Sequence, residues 1–451
     1  MIDTFRKMTF RGGIHPPEEK DKTKGLPIQN IPLPDKVVIP LSQHAGTICK
    51  PIVKVGDLVK RGQKIGEGEG LITSTVHSSI SGKVGDILPH PHPLGSDILS
   101  IIIESDGKDE WTGDLKENED YLSIEPEKIR GIIRDAGIVG LGGAQFPTYI
   151  KLSPAGNKKI DYVILNGAEC EPYITSDHRL MLERTSEIIE GLKIIMHVLS
   201  ARKGFIGIEK NKPDAIEKMW IAECGLRNGK KSEIEVVGLN VKYPQGAEKQ
   251  LIKTILKKEI PPSVFPIEAG VVVNNVGTAY AVYNAVRYGI PLIERVVTVT
   301  GDCIKEPQNL LVRIGTSFEF LIQNCGGFSE DPEKVIMGGP MMGITQYTLK
   351  VPVIKGTSGI LVFSKDSTVI EDEYQPCIRC GRCVYNCPMG LSPNLYGLQA
   401  ERSMIDEAYN LDVMYCIECG ACSYVCPSKR PLMQFIKYLK AEIRKKNKKI
   451  S

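Results

Sequence analysis

The spacing of apolar positions changes character along this chain, and each change marks a different kind of structure. Between residues 35 and 110 they fall in short runs closed by glycine turns: Val37-Val38-Ile39-Pro40, Lys54 to Gln63, Ser79 to Val84, and Ile98 to Ile103. Short strands at regular spacing predict a small sandwich or barrel. Over residues 120–289 helical and extended patterns alternate. Ile129, Ile132, Ile133 and Ala136 recur at helical spacing behind Pro126, and Gly137 stops that helix. Strands are predicted at Tyr162 to Leu165, Phe205 to Ile208, Ile234 to Val237 and Val271 to Val273. Helices are predicted at Ile188 to Leu199, Pro213 to Cys224, from about Ala247, and at Val276 to Tyr288. Such alternation builds a mostly parallel sheet covered by helices. From 290 to 363 the strands shorten again, with Gly326-Gly327 and Gly338 to Gly343 as turns, which reads as a small α+β module. Beyond a polar linker, Ser364 to Tyr374, residues 370–443 hold a helical module. Ser392-Pro393 is its N-cap and first-turn pair, and Pro431 opens a last helix with Leu432, Phe435, Ile436, Leu439 and Ile443 on one stripe.

Composition narrows the choices. Residues 1–34 are rich in proline, glycine and charge, and read as an extended arm that lies across another domain or subunit, or as a partly disordered tail. Residues 105–120 are acidic and polar, a linker. A formal net charge of +3 over 451 residues argues against a nucleic-acid protein, whose footprint is a strongly basic domain. No run of about 18 apolar residues is present, and the first residues lack the apolar core of a signal peptide, so neither a membrane span nor a secretory leader is expected. His90 and His92 in their proline-rich stretch read as a surface loop rather than a metal tract. The basic end, Arg444 to Lys449, reads as solvated, with an anionic lipid surface as the alternative.

Thirteen cysteines are present, and eight of them form two copies of one pattern. Cys377, Cys380, Cys383 and Cys387-Pro388 make one C-x2-C-x2-C-x3-C-P run, and Cys416, Cys419, Cys422 and Cys426-Pro427 repeat it 39 residues later. Cysteines three apart on a tight loop present thiolates to one face of a cubane, and the proline turns the chain away. This is the two-cluster ferredoxin run, in which the fourth cysteine serves the other cluster. The expected sets are Cys377, Cys380, Cys383 and Cys426 for one [4Fe-4S] cluster, and Cys416, Cys419, Cys422 and Cys387 for the other. Zinc knuckles and disulfides fit less well, because zinc sites use two separated cysteine pairs. Such thiolates imply a reducing interior. Cys49, Cys170, Cys224, Cys303 and Cys325 are scattered and read as buried small residues.

The α/β region offers an electron source. Gly137 to Thr148 is a glycine-rich loop after a helix, whose bare N–H groups suit a phosphate or a flat ring, although its spacing is not the Rossmann G-x-G-x-x-G. Asn166-Gly167-Ala168-Glu169-Cys170-Glu171-Pro172 and Asn274-Asn275 each follow a predicted strand, where ligands of open α/β sheets bind.

These residues carry a resemblance. The V-G-D-x-V-x-x-G-Q run from Val55 to Gln63, with Ser81-Gly82-Lys83-Val84, resembles a lipoyl-type barrel-sandwich module, though Thr73-Ser74-Thr75-Val76-His77 stands where a carrier has its modified lysine. The module therefore reads as a docking scaffold. The triplet G-x-G-G-A-x-F-P-T, N-x-x-E-x-E-P and V-N-N is similar to the flavin- and NADH-binding subunit of respiratory complex I. With the barrel-sandwich module before it and two clusters after it, the whole chain from about residue 5 to 440 resembles the RnfC family of Rnf electron-transport complexes. The resemblance implies a multidomain α/β fold. Its parts are an N-terminal arm (1–34), a barrel-sandwich hybrid module (35–110), a Rossmann-like FMN/NADH domain (120–289), a β-grasp, SLBB-like module (290–363) and an α-helical two-[4Fe-4S] ferredoxin-type domain (370–443). It implies FMN held by Gly140, Gly142, Gly143, Lys151, Asn166, Glu169, Asn274 and Asn275, and NADH towards Phe146, Glu171 and Glu248. No catalytic residue beyond the cofactors is implied. Leu141, Gln145 and Ala247 depart from the complex I pattern, which bears on the pose of the nucleotide. The implied activity is that of an NADH-oxidising subunit of an ion-translocating oxidoreductase. NADH gives a hydride to FMN, or the reverse, and two [4Fe-4S] clusters relay single electrons. The implied setting is the cytoplasmic face of the cell membrane. The implied partners are RnfA, RnfB, RnfD, RnfE and RnfG, with ferredoxin met indirectly and no nucleic acid. A pure iron–sulfur electron-transfer scaffold and a soluble flavin/iron–sulfur cobalamin reductase are the alternatives; in the latter family the barrel-sandwich module follows the core, so the order here favours Rnf.

Overall fold

Four strands, Tyr162–Gly167, Lys203–Glu209, Ile234–Leu239 and Val271–Asn275, form an all-parallel sheet in which the spatial order is third, second, first, fourth. The computed structural model describes residues 8–113, 115, 117–156, 158–226, 233–366 and 374–450. Both faces of this sheet are covered, which is why its strands read as unbroken apolar runs. Val163, Leu165, Ile206, Ile208 and Val272 enter the core under the helices Thr185–Leu199 and Val276–Tyr288, whereas Ile164, Phe205, Val237 and Val273 face the helix Glu248–Leu256. A helix absent from the sequence reading, Ser176–Glu183, follows the first strand. The reversal in strand order between Tyr162–Gly167 and Val271–Asn275 leaves a crevice at their carboxyl ends.

Two antiparallel sheets pack as the barrel-sandwich module around Val37, Ile39, Leu41, Val59, Ile65, Val76, Ile80, Val84, Ile101 and Ile103. Three expectations change here. The Lys54 to Gln63 run is strand only over Leu58–Val59, with turns at Val55-Gly56 and Gly62 and a single bridge from Arg61 to Trp111. His90 belongs to the long strand Gly82–Pro91, and His92 is buried with Nε2 3.0 Å from the Ser42 carbonyl, so this is no surface loop. Residues 105–113 are more than a linker: Asp109 pairs with Arg61 at 2.9 Å and Arg313 at 2.8 Å, and Trp111 lies under the Arg61 guanidinium. This strap ties the module to the one that follows the α/β domain.

The tip of the barrel-sandwich is buried against the rest of the chain. Thr75 Oγ1 donates to the last carbonyls of the helix Pro126–Asp135, at 3.2 Å to Arg134 and 3.0 Å to Asp135. Lys355 reaches in from the β-grasp module and donates to the Thr75 and Gly137 carbonyls at 2.8 and 2.7 Å. Burial, with Lys355 alongside, holds His77 neutral down to about 3 and His44 down to about 4. Both histidines bind fewer protons folded than unfolded between those values and 6.5, so their stability contribution is complete above pH 6.5 and lost as pH falls. The expected loss is on the order of 2 kcal/mol for each at pH 5. Denaturant midpoints measured from pH 7 to 4.5 should fall for the native chain and fall less for His77→Gln; equal slopes would refute the assignment.

The module after the α/β domain has a six-stranded mixed sheet. Glu294–Gly301 runs antiparallel to Gln308–Arg313 and parallel to Gly359–Phe363, and the helix Phe318–Asn324 lies between the second and third strands, a β-grasp arrangement. The N-terminal arm does lie across another domain, since Ile28–Asn30 pairs in parallel with Gln308–Arg313 and closes that edge.

In the last module the 39-residue repeat of the sequence is a repeat of backbone. Arg379 and Glu418, Gly381 and Gly420, and Gly390 and Lys429 all have positive φ. The short helices Arg382–Tyr385 and Ala421–Tyr424 correspond in the same way. The stripe on the final helix, Leu432–Ile450, buries Leu432, Ile436, Leu439 and Ile443 against Tyr396, Ala400 and Ala408. Most of the polar linker from Ser364 to Tyr374 lies outside the described residues.

Candidate cofactor sites

The crevice in the parallel sheet gathers most of the residues singled out above. Asn166 and Asn275 end adjacent strands and are partners in register. Asn166 accepts from the Ala168 N–H at 3.1 Å and donates to the Gly246 carbonyl at 2.8 Å. Asn275 caps the helix Val276–Tyr288 by accepting from the Gly277 N–H at 2.8 Å, and donates to Asp177 at 2.6 Å. The glycine loop closes on itself, with the Gly140 N–H donating to the Phe146 carbonyl at 2.9 Å, and is pinned by the Leu141 N–H donating to Thr278 Oγ1 at 3.0 Å. A side chain at Gly142 would meet Asn275 Cβ at 3.3 Å. Gly143 has φ +118° and opens on empty space, a backbone conformation that L residues rarely adopt. Lys151 and Glu248 pair at 2.8 Å, two residues beyond the Gly246 that Asn166 holds. A ring of contacts thus runs from the glycine loop through Asn275, Asn166 and Gly246 to Glu248 and Lys151. Phe146 is half-buried where the loop returns. Asn274 is buried, and its Nδ2 has no partner among the described residues.

Glu169 and Glu171 each hold a neighbouring element in place. Glu169 accepts from the Asp177 and His178 N–H groups at 2.6 and 3.1 Å, capping the helix Ser176–Glu183, and burial lifts its carboxyl to about 7 although Lys20 opposes the rise. Glu171, expected towards the nucleotide, has both oxygens engaged by the turn of the β-grasp module: Met341 N–H donates at 3.1 Å and Met342 N–H at 3.0 Å. The contact is close-packed, because Gly339 presses so near to Glu171 that no side chain would fit there.

Sequence reading missed the residues beneath the 168–174 loop. Lys20 of the arm is buried and donates to the carbonyls of Glu169 and Glu171, each at 2.9 Å, and of Ile174. Lys212, also buried, donates to the Ala168 carbonyl at 2.7 Å. Neither had a signal: Lys20 sits in the run Glu18-Glu19-Lys20-Asp21-Lys22, which looks solvated.

The eight motif cysteines surround two cavities. One is lined by Cys387, Cys416, Cys419 and Cys422, and the other by Cys377, Cys380, Cys383 and Cys426, so each fourth cysteine faces the other run. Among the described residues no three His, Cys, Asp or Glu side chains converge as a single metal ion requires. The quartets ring a space instead, as the four corners of a cubane require. Burial pushes the Cys419 thiol up to about 12 and raises Cys416 and Cys422, so these sites favour neutral thiols until a cation replaces the proton.

The two cavities differ in their neighbours. The Cys387/Cys416/Cys419/Cys422 cavity lies against the α/β domain and the arm. Tyr243 Oη donates to the Cys419 carbonyl at 2.7 Å, Gln250 Nε2 to the Pro388 carbonyl at 3.1 Å, and the Gly13 N–H to the Asn386 carbonyl at 2.9 Å. At the other cavity Cys377 and Cys380 are exposed, flanked by exposed Ile378 and Tyr385.

Family models match four stretches: the RnfC barrel sandwich hybrid domain at 8–108, the Nuo51 FMN-binding domain at 133–284, the SLBB domain at 296–345 and a 4Fe-4S dicluster domain at 369–447. Among solved structures, the fold is similar to a chain of an NAD+-reducing [NiFe]-hydrogenase, with TM-score 0.53 and 18% identity, over 70% of this chain and 63% of that one. The chain is 49% identical to the C component of the proton-translocating ferredoxin:NAD(+) oxidoreductase complex of Clostridium ljungdahlii, over 97% of this chain and 94% of that protein. It is 48% identical to the C component of the Na(+)-translocating ferredoxin:NAD(+) oxidoreductase complex of Acetobacterium woodii, over 96% and 97%. It is 42% identical to the C component of the ion-translocating oxidoreductase complex of Rhodobacter capsulatus, over 98% and 85%. With identity of this order over nearly the full length and a match to the RnfC barrel sandwich hybrid domain, the chain belongs to the RnfC family, the C components of ion-translocating ferredoxin:NAD(+) oxidoreductase complexes.

Proposed function

We propose that this chain is the NAD-linked electron-entry subunit of an Rnf complex, holding FMN in the α/β crevice and two [4Fe-4S] clusters in the cysteine quartets. The observation that carries this reading is the contact between the crevice domain and one quartet, through Tyr243 and Gln250, which gives electrons a short protein path. The crevice suits a flavin nucleotide: Asn274 offers a buried donor that is unused among the described residues, the missing side chain at Gly142 lets the loop lie close against Asn275, and Gly143 opens on empty space. Gly140, Gly142 and Gly143 supply backbone, Asn166, Asn274 and Asn275 supply amides, and Lys151 supplies positive charge that its pair with Glu248 holds in place. Glu169 serves indirectly by fixing the helix beside the crevice. Phe146 and Glu248 border the open side and face the nicotinamide nucleotide. FMN, when bound, accepts a hydride's two electrons from NADH and passes them on singly.

The Cys387/Cys416/Cys419/Cys422 site is the nearer relay, and the exposed Cys377/Cys380/Cys383/Cys426 site is the outlet. No helix among the described residues is long and apolar enough to cross a membrane, so ion movement belongs to other subunits. The chain docks peripherally on the cytoplasmic side, with RnfA, RnfB, RnfD, RnfE and RnfG as its complex and ferredoxin met through them. The test is an anaerobic NADH titration of the protein reconstituted with FMN, iron and sulfide, followed by visible absorbance. Joint bleaching of flavin and cluster bands is expected. Clusters reduced by dithionite but untouched by NADH would leave only an electron-transfer scaffold.

A further inference from the structure

Tyr243 is the largest side chain buried where three domains meet. It is 1% exposed and packs with Ile14, Cys419 and Ala421, with Cys170 and Met341 at the margin. Its hydroxyl lies 2.7 Å from the Cys419 carbonyl and 3.4 Å from Glu171 Oε1. A phenol has one proton, and the shorter contact takes it, so the O–H dipole points at a carbonyl inside the cluster loop. The Glu171 carboxylate behind it is held by Met341 and Met342, and the Met341 carbonyl in turn abuts Gly420 of that same loop. A dipole of one sign and a charge of the other therefore stand side by side at one quartet. Cys380, the repeat-mate of Cys419, is exposed.

We propose that Tyr243 and Glu171 are positioning residues that set the electron affinity of the cluster held by Cys387, Cys416, Cys419 and Cys422, and so decide how readily it accepts electrons from the flavin. This deepens the function proposed above and rests on it. When this cluster is reduced, one electron arrives, no bond forms or breaks, and the local charge falls by one. The positive end of the tyrosine dipole stabilises the added charge, and the Glu171 carboxylate destabilises it; hydrogen bonding and charge around the ligands are the protein's means of tuning such centres. The opposition keeps the relay poised rather than acting as an electron trap.

The experiment is a mediated redox titration of the full reconstituted chain, with each cluster followed by its EPR signal, for native protein, Tyr243→Phe and Glu171→Gln at pH 8.5. That pH lies above the value of about 7 to which burial raises Glu171, so its carboxylate is charged. Tyr243→Phe should shift the reduction equilibrium of the buried cluster towards the oxidised form by about 3- to 10-fold, the worth of one hydrogen bond. Glu171→Gln should shift it towards the reduced form, and the exposed cluster should stay within about 2-fold in both variants. Shifts of the same sign in both variants, equal shifts at both clusters, or none would overturn the proposal. Iron and flavin contents are checked first, and if either variant fails to assemble, the sign and site of the shift in the other decide. Mediators and dithionite drive this titration, so a native protein that ignores NADH would refute the function above without touching this result.

Discussion

Cys387→Ala is expected to remove one cluster and to cut the surviving one off from rapid reduction by NADH, while Cys426→Ala leaves its surviving cluster reducible by NADH. The two residues occupy the same place in their motifs, so linear ligation of each run would reverse the outcome. Because Cys387 faces Cys416, Cys419 and Cys422, its loss removes the cluster beside the α/β domain. The surviving exposed site then has no relay to the flavin, and its reduction by NADH should slow by at least about 100-fold. Loss of Cys426 removes the exposed site and leaves the relay intact. Iron content near half in both variants, followed by anaerobic mixing with NADH, reads the difference. Bleaching of the remaining cluster in Cys387→Ala would refute either the crossed ligation or the order of the two sites.

Lys20→Met should cost more stability than any arm residue would suggest. The ammonium is buried, raises no charge to solvent, and satisfies three carbonyls of the 169–174 loop while sitting beside the Glu169 carboxylate. Methionine fills much of the volume but leaves three buried carbonyls without their donor, which costs about 3–5 kcal/mol, at roughly 1–3 kcal/mol for each unsatisfied group. The loop carries Glu169, whose cap orients the helix that presents Asp177 to Asn275, so flavin retention should fall as well. Chemical denaturation and flavin content after gel filtration measure the two effects. A midpoint and a flavin content equal to those of the native chain would show that the arm is only draped over the domain.

The parts of this molecule that were readable from one dimension are those in which a local rule operates alone. The strand Tyr162–Gly167 and the helix Val276–Tyr288 declare themselves because burial on both sheet faces demands unbroken apolar residues, and burial on one helix face demands a period near four. The cysteine spacing is likewise local, since each loop of three cysteines is built within seven residues. The crevice residues were legible for a related reason: Asn166, Asn274 and Asn275 lie at the carboxyl ends of strands, where parallel topology leaves space for a ligand. His92 was misread because its partner lies far away in the chain, at Ser42, and the turn that engages Glu171, Met341-Met342, was equally invisible. Burial reverses the meaning of a polar residue, and burial is not a local property.

The order of residues therefore settles the family, the module types, the two four-cysteine runs and the glycine and asparagine elements of the crevice, all of which depend on spacing over a few residues. Folding adds the couplings between modules: Lys20 under the 169–174 loop, Lys355 joining the barrel-sandwich tip to Gly137, Tyr243 on Cys419, and Cys419 buried while its repeat-mate Cys380 is exposed. These joints pair side chains with backbone groups more than a hundred residues distant. A backbone carbonyl has no residue type to mark it, so no pattern in the chain announces which one a lysine or a tyrosine will reach.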